Sequence, residues 1–244
     1  MLIHMSEIVI KNVSKSYDEG ESYSVKNLSL SIKKGTIFGF LGANGAGKTT
    51  TIKMLVGLTR PSEGEIFILG KSPENGEIKS HIGFMPESPS FYPHLTGKEF
   101  LSFVAGLFDL ENKEERIKEV FHLVDLQNAE NKKVKTYSKG MLQRLGVAQA
   151  LLNDPDIIFL DEPLDGLDPL GRAEIKKIII SLKARKKTIF FNSHILGDME
   201  EICDEVGIID KGALIVHGAP SKVRGQYGNL EEAFVAIIKE VRKE

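Results

Sequence analysis

The chain has 244 residues, a formal net charge of −2 and a pI near 6.3. That is length enough for one large domain, or one with an inserted subdomain, and it gives no bulk-charge reason to expect nucleic acid as a partner. The single cysteine, Cys203, excludes an intrachain disulfide, and no apolar run approaches the ~18 residues of a membrane span, so the expectation is a soluble, cytoplasmic chain.

The opening MLIHM stands ahead of a second methionine, Met5, and the domain is taken to start there. The segments 7–17 and 25–32 alternate apolar and polar residues like antiparallel strands, joined through the polar DEGES. The run 35–42 is a short apolar segment bounded by glycines, the pattern of a buried strand; a helix follows it to about Gly57, then a turn and strand over 60–70. After the strand 82–85 come helices. One places Ile117, Val120, Phe121 and Val124 along a face, with Asn112 and Glu115 spaced as a capping box; the next runs from about Ser138 to Leu152. The buried strand 155–163 leads to an amphipathic helix carrying Ile175, Ile178, Ile179 and Leu182. The last strands are KTIFFNSH and EVGIIDKGALIV, turning at Lys211–Gly212, before a capped terminal helix over 229–241. The basic run KARKK (183–187) reads as the solvated C-terminal end of a helix, where cations suit the dipole.

GANGAGKT (42–49) fits G-x-x-x-x-G-K-[ST] between a buried strand and a helix, a match expected by chance in roughly 1% of such chains. Its glycines let backbone N–H groups turn toward phosphate oxygens at the positive end of the helix. Lys48 would reach the β- and γ-phosphates and Thr49 would place its hydroxyl on Mg²⁺. IIFLDEP (157–163) complements it: Asp161 can accept from Mg²⁺-bound water, and Glu162 can serve as base for the water that attacks the γ-phosphate.

Three further stretches select among phosphate-loop ATPases. TYSKGMLQR (136–144) resembles the signature of ATP-binding-cassette (ABC) proteins, LDGLDP (164–169) resembles their D-loop, and NSH (192–194) their switch histidine. In this order with the phosphate loop, they make nearly the whole chain similar to the nucleotide-binding subunit of an ABC transporter. The resemblance implies an α/β fold: a P-loop NTPase core with a mostly parallel sheet (about 5–86 and 153–228), an N-terminal antiparallel β subdomain, an inserted α-helical subdomain (about 87–152) and a C-terminal helix (229–244).

It also implies ATP and Mg²⁺ as ligands. ATP would lie on Tyr17, Val25, Gly42, Asn44, Gly45, Ala46, Gly47, Lys48, Thr49 and Thr50, with Tyr17 stacked on adenine; read alone, Tyr17 is an ordinary strand-end tyrosine. Glu162, His194 and Lys48 are the implied catalytic set, and Thr49, Asp161 and Glu87 the implied metal contacts. Ser138 has the spacing of a helix N-cap, and with Gly140 it would close over ATP held by a second subunit, while Asp168 would couple the two sites. Lys139 and Met141 depart from the usual signature glycine and glutamine; Lys139 either adds a cation near a polyphosphate or points to solvent.

FMPESPSFYP (84–93) interrupts the regular pattern with Pro86, Pro89 and Pro93, which exclude helix there. Glu87 takes the position where the family carries a glutamine near Mg²⁺, so Mg²⁺ would offset its charge or it would swing away without ATP. This variant and the terminal NLEEAFVAII are similar to ABC-2-type subunits of the drug-, sodium- or carbohydrate-export kind. The implied partners are a transmembrane permease and a second ATPase subunit in a homodimer or pseudo-symmetric dimer, at the cytoplasmic side of the membrane. The rival is a soluble ABC ATPase acting on nucleic acid or ribosomes, which would typically bring coiled coils, a second cassette or a strongly basic linker.

Overall fold

The computed structural model of the protein describes residues 6–18, 20–108, 110 and 112–242. The expected domain start at residue 5, the helix position at Glu111 and the last two residues of the 229–244 segment lie outside them. The first strand, β1 (Ser6–Lys15), pairs antiparallel with β2 (Val25–Lys33). Alternation in β2 buries Val25, Leu28, Leu30 and Ile32, with one break at Asn27. That break is a bulge: Asn27 and, opposite, Asn12 have positive φ (49° and 46°), a conformation asparagine tolerates better than most residues.

β3 (Ile37–Leu41) leaves for the central sheet and feeds α1 (Lys48–Leu55), after which β4 (Glu63–Ile68) returns to the other edge of β1. β5 (Ile82–Met85) enters the central sheet before the helices α2 (Gly97–Ala105), α3 (Lys113–Leu123) and α4 (Lys139–Leu151). The remaining elements are β6 (Ile157–Asp161), α5 (Pro169–Ala184), β7 (Thr188–Ser193), α6 (Leu196–Ile202), β8 (Glu205–Asp210), β9 (Ala213–Gly218), α7 (Pro220–Arg224) and α8 (Leu230–Val241). The central sheet runs β5-β6-β7-β3-β8-β9, parallel except for β9.

β3, β6 and β7 are buried along their whole length, which explains their unbroken apolar sequences. Their alternate residues serve two cores. Phe38, Phe40, Phe159 and Phe190 pack toward the three-stranded sheet and α1, with Phe38 and Phe190 stacked at 5.4 Å. Leu41, Ile158, Leu160 and Phe191 face the other side, where α2–α6 and α8 contribute. Such a sheet holds its strand ends rigidly, and the phosphate loop, Asp161 and His194 all follow C-terminal strand ends.

One expectation needs correction. Asn112 makes no side-chain cap to α3, because its backbone (φ −118°, ψ 57°) is not in the extended conformation a capping residue takes. The capping box is instead on α2: Thr96 Oγ1 accepts from Glu99 N–H at 3.1 Å and Glu99 Oε2 from Thr96 N–H at 2.7 Å. α6 is the helix expected around EEICDEV, with Cys203 at its C-cap, whereas the short α7 is new, although Pro220 at its first turn is a start signal. The basic run at the end of α5 is a largely solvated helix end, as expected, and it is also ion-paired: Arg185 with Glu119 at 2.8 Å, Lys187 with Asp154 at 2.9 Å, and Lys183 with Asp204. Cys203 is buried beneath Gly39, and burial pushes its thiol pKa up, which leaves it inert as a nucleophile.

Candidate functional site

The loop from Gly42 to Gly47 wraps the start of α1 because three glycines allow it. A Cβ on Gly42 would stand 2.6 Å from Ile209 O, and one on Gly47 2.4 Å from Ser24 O; Gly45 and Gly47 also have φ of 79° and 109°. Ala46 is buried behind the loop and accepts from Gly212 N–H at 2.9 Å, pinning it to the β8–β9 turn. The first turn of α1 has no acidic residue of its own; the carboxylates nearest it, Asp161 and Glu162, come from the end of β6 and the residue after it. In front of that turn is a cavity of about 360 Å³, lined by Asn44, Gly45, Gly47, Lys48, Thr49, Thr50, Glu87 and Glu162. Ser24, which the sequence reading missed, completes the lining.

Lys48 is 6% exposed. Its ammonium donates to Gly42 O at 2.8 Å and lies 3.4 Å from Ala43 O and 3.3 Å from Glu162 Oε1. Thr49 Oγ1 donates to Asp161 Oδ1 at 3.1 Å, and Asn192 Nδ2 donates to the same oxygen at 2.5 Å. Burial pushes the Asp161 carboxyl pKa above its ordinary value, while the hydrogen bonds from Asn192 and Thr49 pull the other way. Glu162 has a φ of 50°, a left-handed backbone costly for a side chain of its kind, and is held there by its N–H bond to Asn192 Oδ1 at 2.6 Å. His194 Nδ1 lies 3.0 Å from Glu162 Oε2.

Asn192 therefore braces both acids and was not singled out in the sequence. The signal was present: a fully buried amide inside the apolar FFNS strand must find partners.

Ser138, Gly140 and Asp168 do not join this cavity. They line a separate hollow of about 480 Å³ between the starts of α4 and α5. Ser138 Oγ caps α4 by accepting from Met141 N–H at 3.3 Å, and Asp168 Oδ1 caps α5 by accepting from Gly171 N–H at 2.8 Å. Gly140 is open: a Cβ there would have its nearest neighbour at 3.9 Å. Lys139 does not line the phosphate cavity; its side chain is 56% exposed to solvent and stands 3.7 Å from Asp165.

Tyr17 is 63% exposed, with the Lys15 ammonium 4.9 Å over its ring, and does not line the cavity. Val25 is fully buried behind Gly47 and offers no surface to a base in this conformation. Glu87 is exposed at the cavity rim, and its loop lies on α4 through Pro89, packed against Gly146.

The comparisons with known proteins agree with this geometry. The ABC transporter family matches residues 25–165. An uncharacterized ABC transporter ATP-binding protein of Nostoc is 47% identical over 229 residues, covering 90% of this chain and 68% of its own length. The bacitracin transport ATP-binding protein BcrA of Bacillus licheniformis is 45% identical over 210 residues, covering 85% and 68%. The linearmycin resistance ATP-binding protein LnrL of Bacillus subtilis is 35% identical over 245 residues, covering 94% and 78%. A solved ATP-binding subunit of an ABC transporter superposes with a TM-score of 0.83 at 29% identity, over 96% of this chain and all of the other. An ABC transporter cassette in its ADP conformation shares the fold with a TM-score of 0.84 at 20% identity, over 98% of this chain and 100% of the other. A glycine-lined phosphate cradle, two braced acids and these relatives lead to one assignment: the chain belongs to the ATP-binding subunits of ABC transporters, and is a nucleotide-binding ATPase.

Proposed function

We propose that the chain hydrolyses ATP at the Gly42–Thr50 loop, as half of a two-subunit sandwich, and that this drives a separate transmembrane permease at the cytoplasmic side of the membrane. The observation that carries the reading is the buried Lys48–Glu162 contact at the floor of the cavity. A buried ammonium resting on two carbonyls and a carboxylate holds contacts that phosphate oxygens can take over. Releasing Glu162 from Lys48 frees it for the attacking water, with His194 holding its other oxygen.

Among the described residues no cluster of three ligating side chains would hold a metal unaided. Thr49 and Asp161 supply one hydroxyl and one carboxylate 3.1 Å apart, which fits Mg²⁺ that takes its other ligands from water and phosphates. Bound there, Mg²⁺ would offset phosphate charge, and Asp161 would lose its burial penalty. Glu87, exposed at the rim, is its third contact only when the loop moves inward.

Ser138, Gly140 and Asp168 line a hollow separate from their own phosphate cavity, which suits a partner subunit's ATP. The cassette is taken as 5–228, with core segments 5–86 and 153–228, helical subdomain 87–152 and terminal helix 229–244. The bacitracin and linearmycin relatives favour an ABC-2, export-like type over the nucleic-acid alternative.

The test is Glu162→Gln. Turnover of purified protein should fall about 10²- to 10³-fold while ATP still binds, and the variant with ATP should run as a dimer on sizing. Wild-type turnover by this variant would sink the catalytic assignment. A pull-down from detergent extract should recover a multi-span protein; a nucleic-acid-dependent complex would favour the rival.

A further inference from the structure

Asp165 lies in the loop between β6 and α5, and its two carboxylate oxygens face different groups. Oδ1 is 3.8 Å from His194 Nε2, and Oδ2 is 3.7 Å from Lys139 Nζ. The imidazole is thus placed between two carboxylates, with Glu162 Oε2 3.0 Å from Nδ1. With only Glu162 in contact, a ring that is 47% exposed would be free to pivot; the Asp165 carboxylate 3.8 Å from the opposite nitrogen gives it a second electrostatic neighbour that limits that freedom.

Lys139 reaches Asp165 by lying across Gly166. A Cβ on Gly166 would fall 1.7 Å from the ammonium nitrogen, so the glycine keeps this path open. Gly166 also has a φ of 62°, which bends the loop so that Asp165 faces both neighbours.

We propose that Asp165 is a positioning residue for hydrolysis, holding His194 against Glu162, with Lys139 fixing where the Asp165 carboxylate stands. The first residue of α4 is thereby linked to the histidine of its own subunit. The proposal rests on the reading of Glu162 and His194 given above. Asp165 and Lys139 are each about half exposed, and ion pairs of that kind contribute little to stability. Their effect is expected in turnover, not in melting.

The experiment measures ATP turnover against ATP concentration, and melting temperature, for the full chain and the variants Asp165→Asn, Asp165→Glu and Lys139→Met. Asp165→Asn should lower kcat about fivefold with KM within about twofold and an unchanged melting temperature, and Asp165→Glu should recover most of the loss. Lys139→Met should lower kcat less and add nothing to Asp165→Asn. In a His194→Ala background, Asp165→Asn should cost nothing further, because the two act through one ring. A kcat within about twofold of wild type for Asp165→Asn, a full additional loss in the His194→Ala background, or a melting loss matching the kcat loss would overturn the proposal. Glu162→Gln separates the two failures: if it is inactive and Asp165→Asn is not impaired, only this inference falls; if it turns over normally, the site reading falls with it.

Discussion

The starts of α1 and α4 are both helix N-termini prepared for an anion, yet they are built differently. At α1 the side chains around the loop are buried and mutually engaged: Lys48, Asp161, Glu162 and Asn192 are each less than a tenth exposed and bonded to one another. At α4 the turn lies at the surface, Ser138 spends its oxygen on its own helix, and Gly140 faces open space. The first is a buried cradle whose own groups satisfy one another where a phosphate would sit. On the proposed reading the second is half of a site and needs a partner's polyphosphate brought to it. Burial makes the first costly to maintain and sensitive to single charges; exposure makes the second cheap to maintain and sensitive to what approaches.

Asp161→Asn tests the cost of the buried half and should have the largest effect. Burial holds the folded pKa of Asp161 above its unfolded value, so its contribution to stability is fully present below the unfolded pKa and is lost as pH rises through the folded one. At neutral pH the ionised carboxylate is therefore a liability in the nucleotide-free chain. Asn keeps an oxygen for Thr49 and Asn192 without the charge. The variant should lose Mg²⁺-dependent turnover by about 10²-fold or more, and melt higher than wild type at pH 7 without Mg²⁺. That gain should fade toward pH 4. A lower melting point at pH 7 would show that the acid is not a burden and that the contrast is wrong.

Gly140→Asp tests the exposed half. A side chain fits there without a clash, so the fold should be kept, while a carboxylate would repel a polyphosphate brought to the turn. Turnover should fall about tenfold to a hundredfold, with ATP affinity of the isolated chain within about twofold of wild type by equilibrium binding. If affinity falls as far as turnover, the two helix starts serve one site and the separation collapses.

The buried half was the more legible of the two in the sequence. Glycines with forced conformations, an apolar strand and a Lys-Thr start leave marks at fixed spacing, so the loop, Asp161 and Glu162 could be named from the residues alone. Asn192 escaped because its role depends on parallel pairing that sets it beside Asp161 in the neighbouring strand, a contact 31 residues distant in the chain. Asp165 escaped for the same reason: its neighbours come from α4 and from the end of β7. Asn112 misled because a cap depends on backbone angles as well as residue type, and the loop before α3 does not deliver them. Val25 was grouped with the nucleotide contacts, but alternation in β2 turns it inward, where it is fully buried.

Glu87→Gln should have the smallest effect and sharpens the boundary between the halves. Glu87 lines both the phosphate cavity and the neighbouring hollow that contains Lys139, Gln143 and Asp165, so it belongs to neither half alone. An exposed carboxylate is well screened, and its removal should not disturb the fold. If the loop moves inward when ATP binds, the added charge near Asp161 and Glu162 makes Mg²⁺ more necessary in wild type than in the variant. The Mg²⁺ concentration for half-maximal turnover should then shift by about twofold to threefold, with kcat nearly unchanged. Superimposable Mg²⁺ curves would mean that Glu87 stays at the rim through the cycle, and that the prolines around it hold the loop on α4 rather than hinge it toward the phosphates.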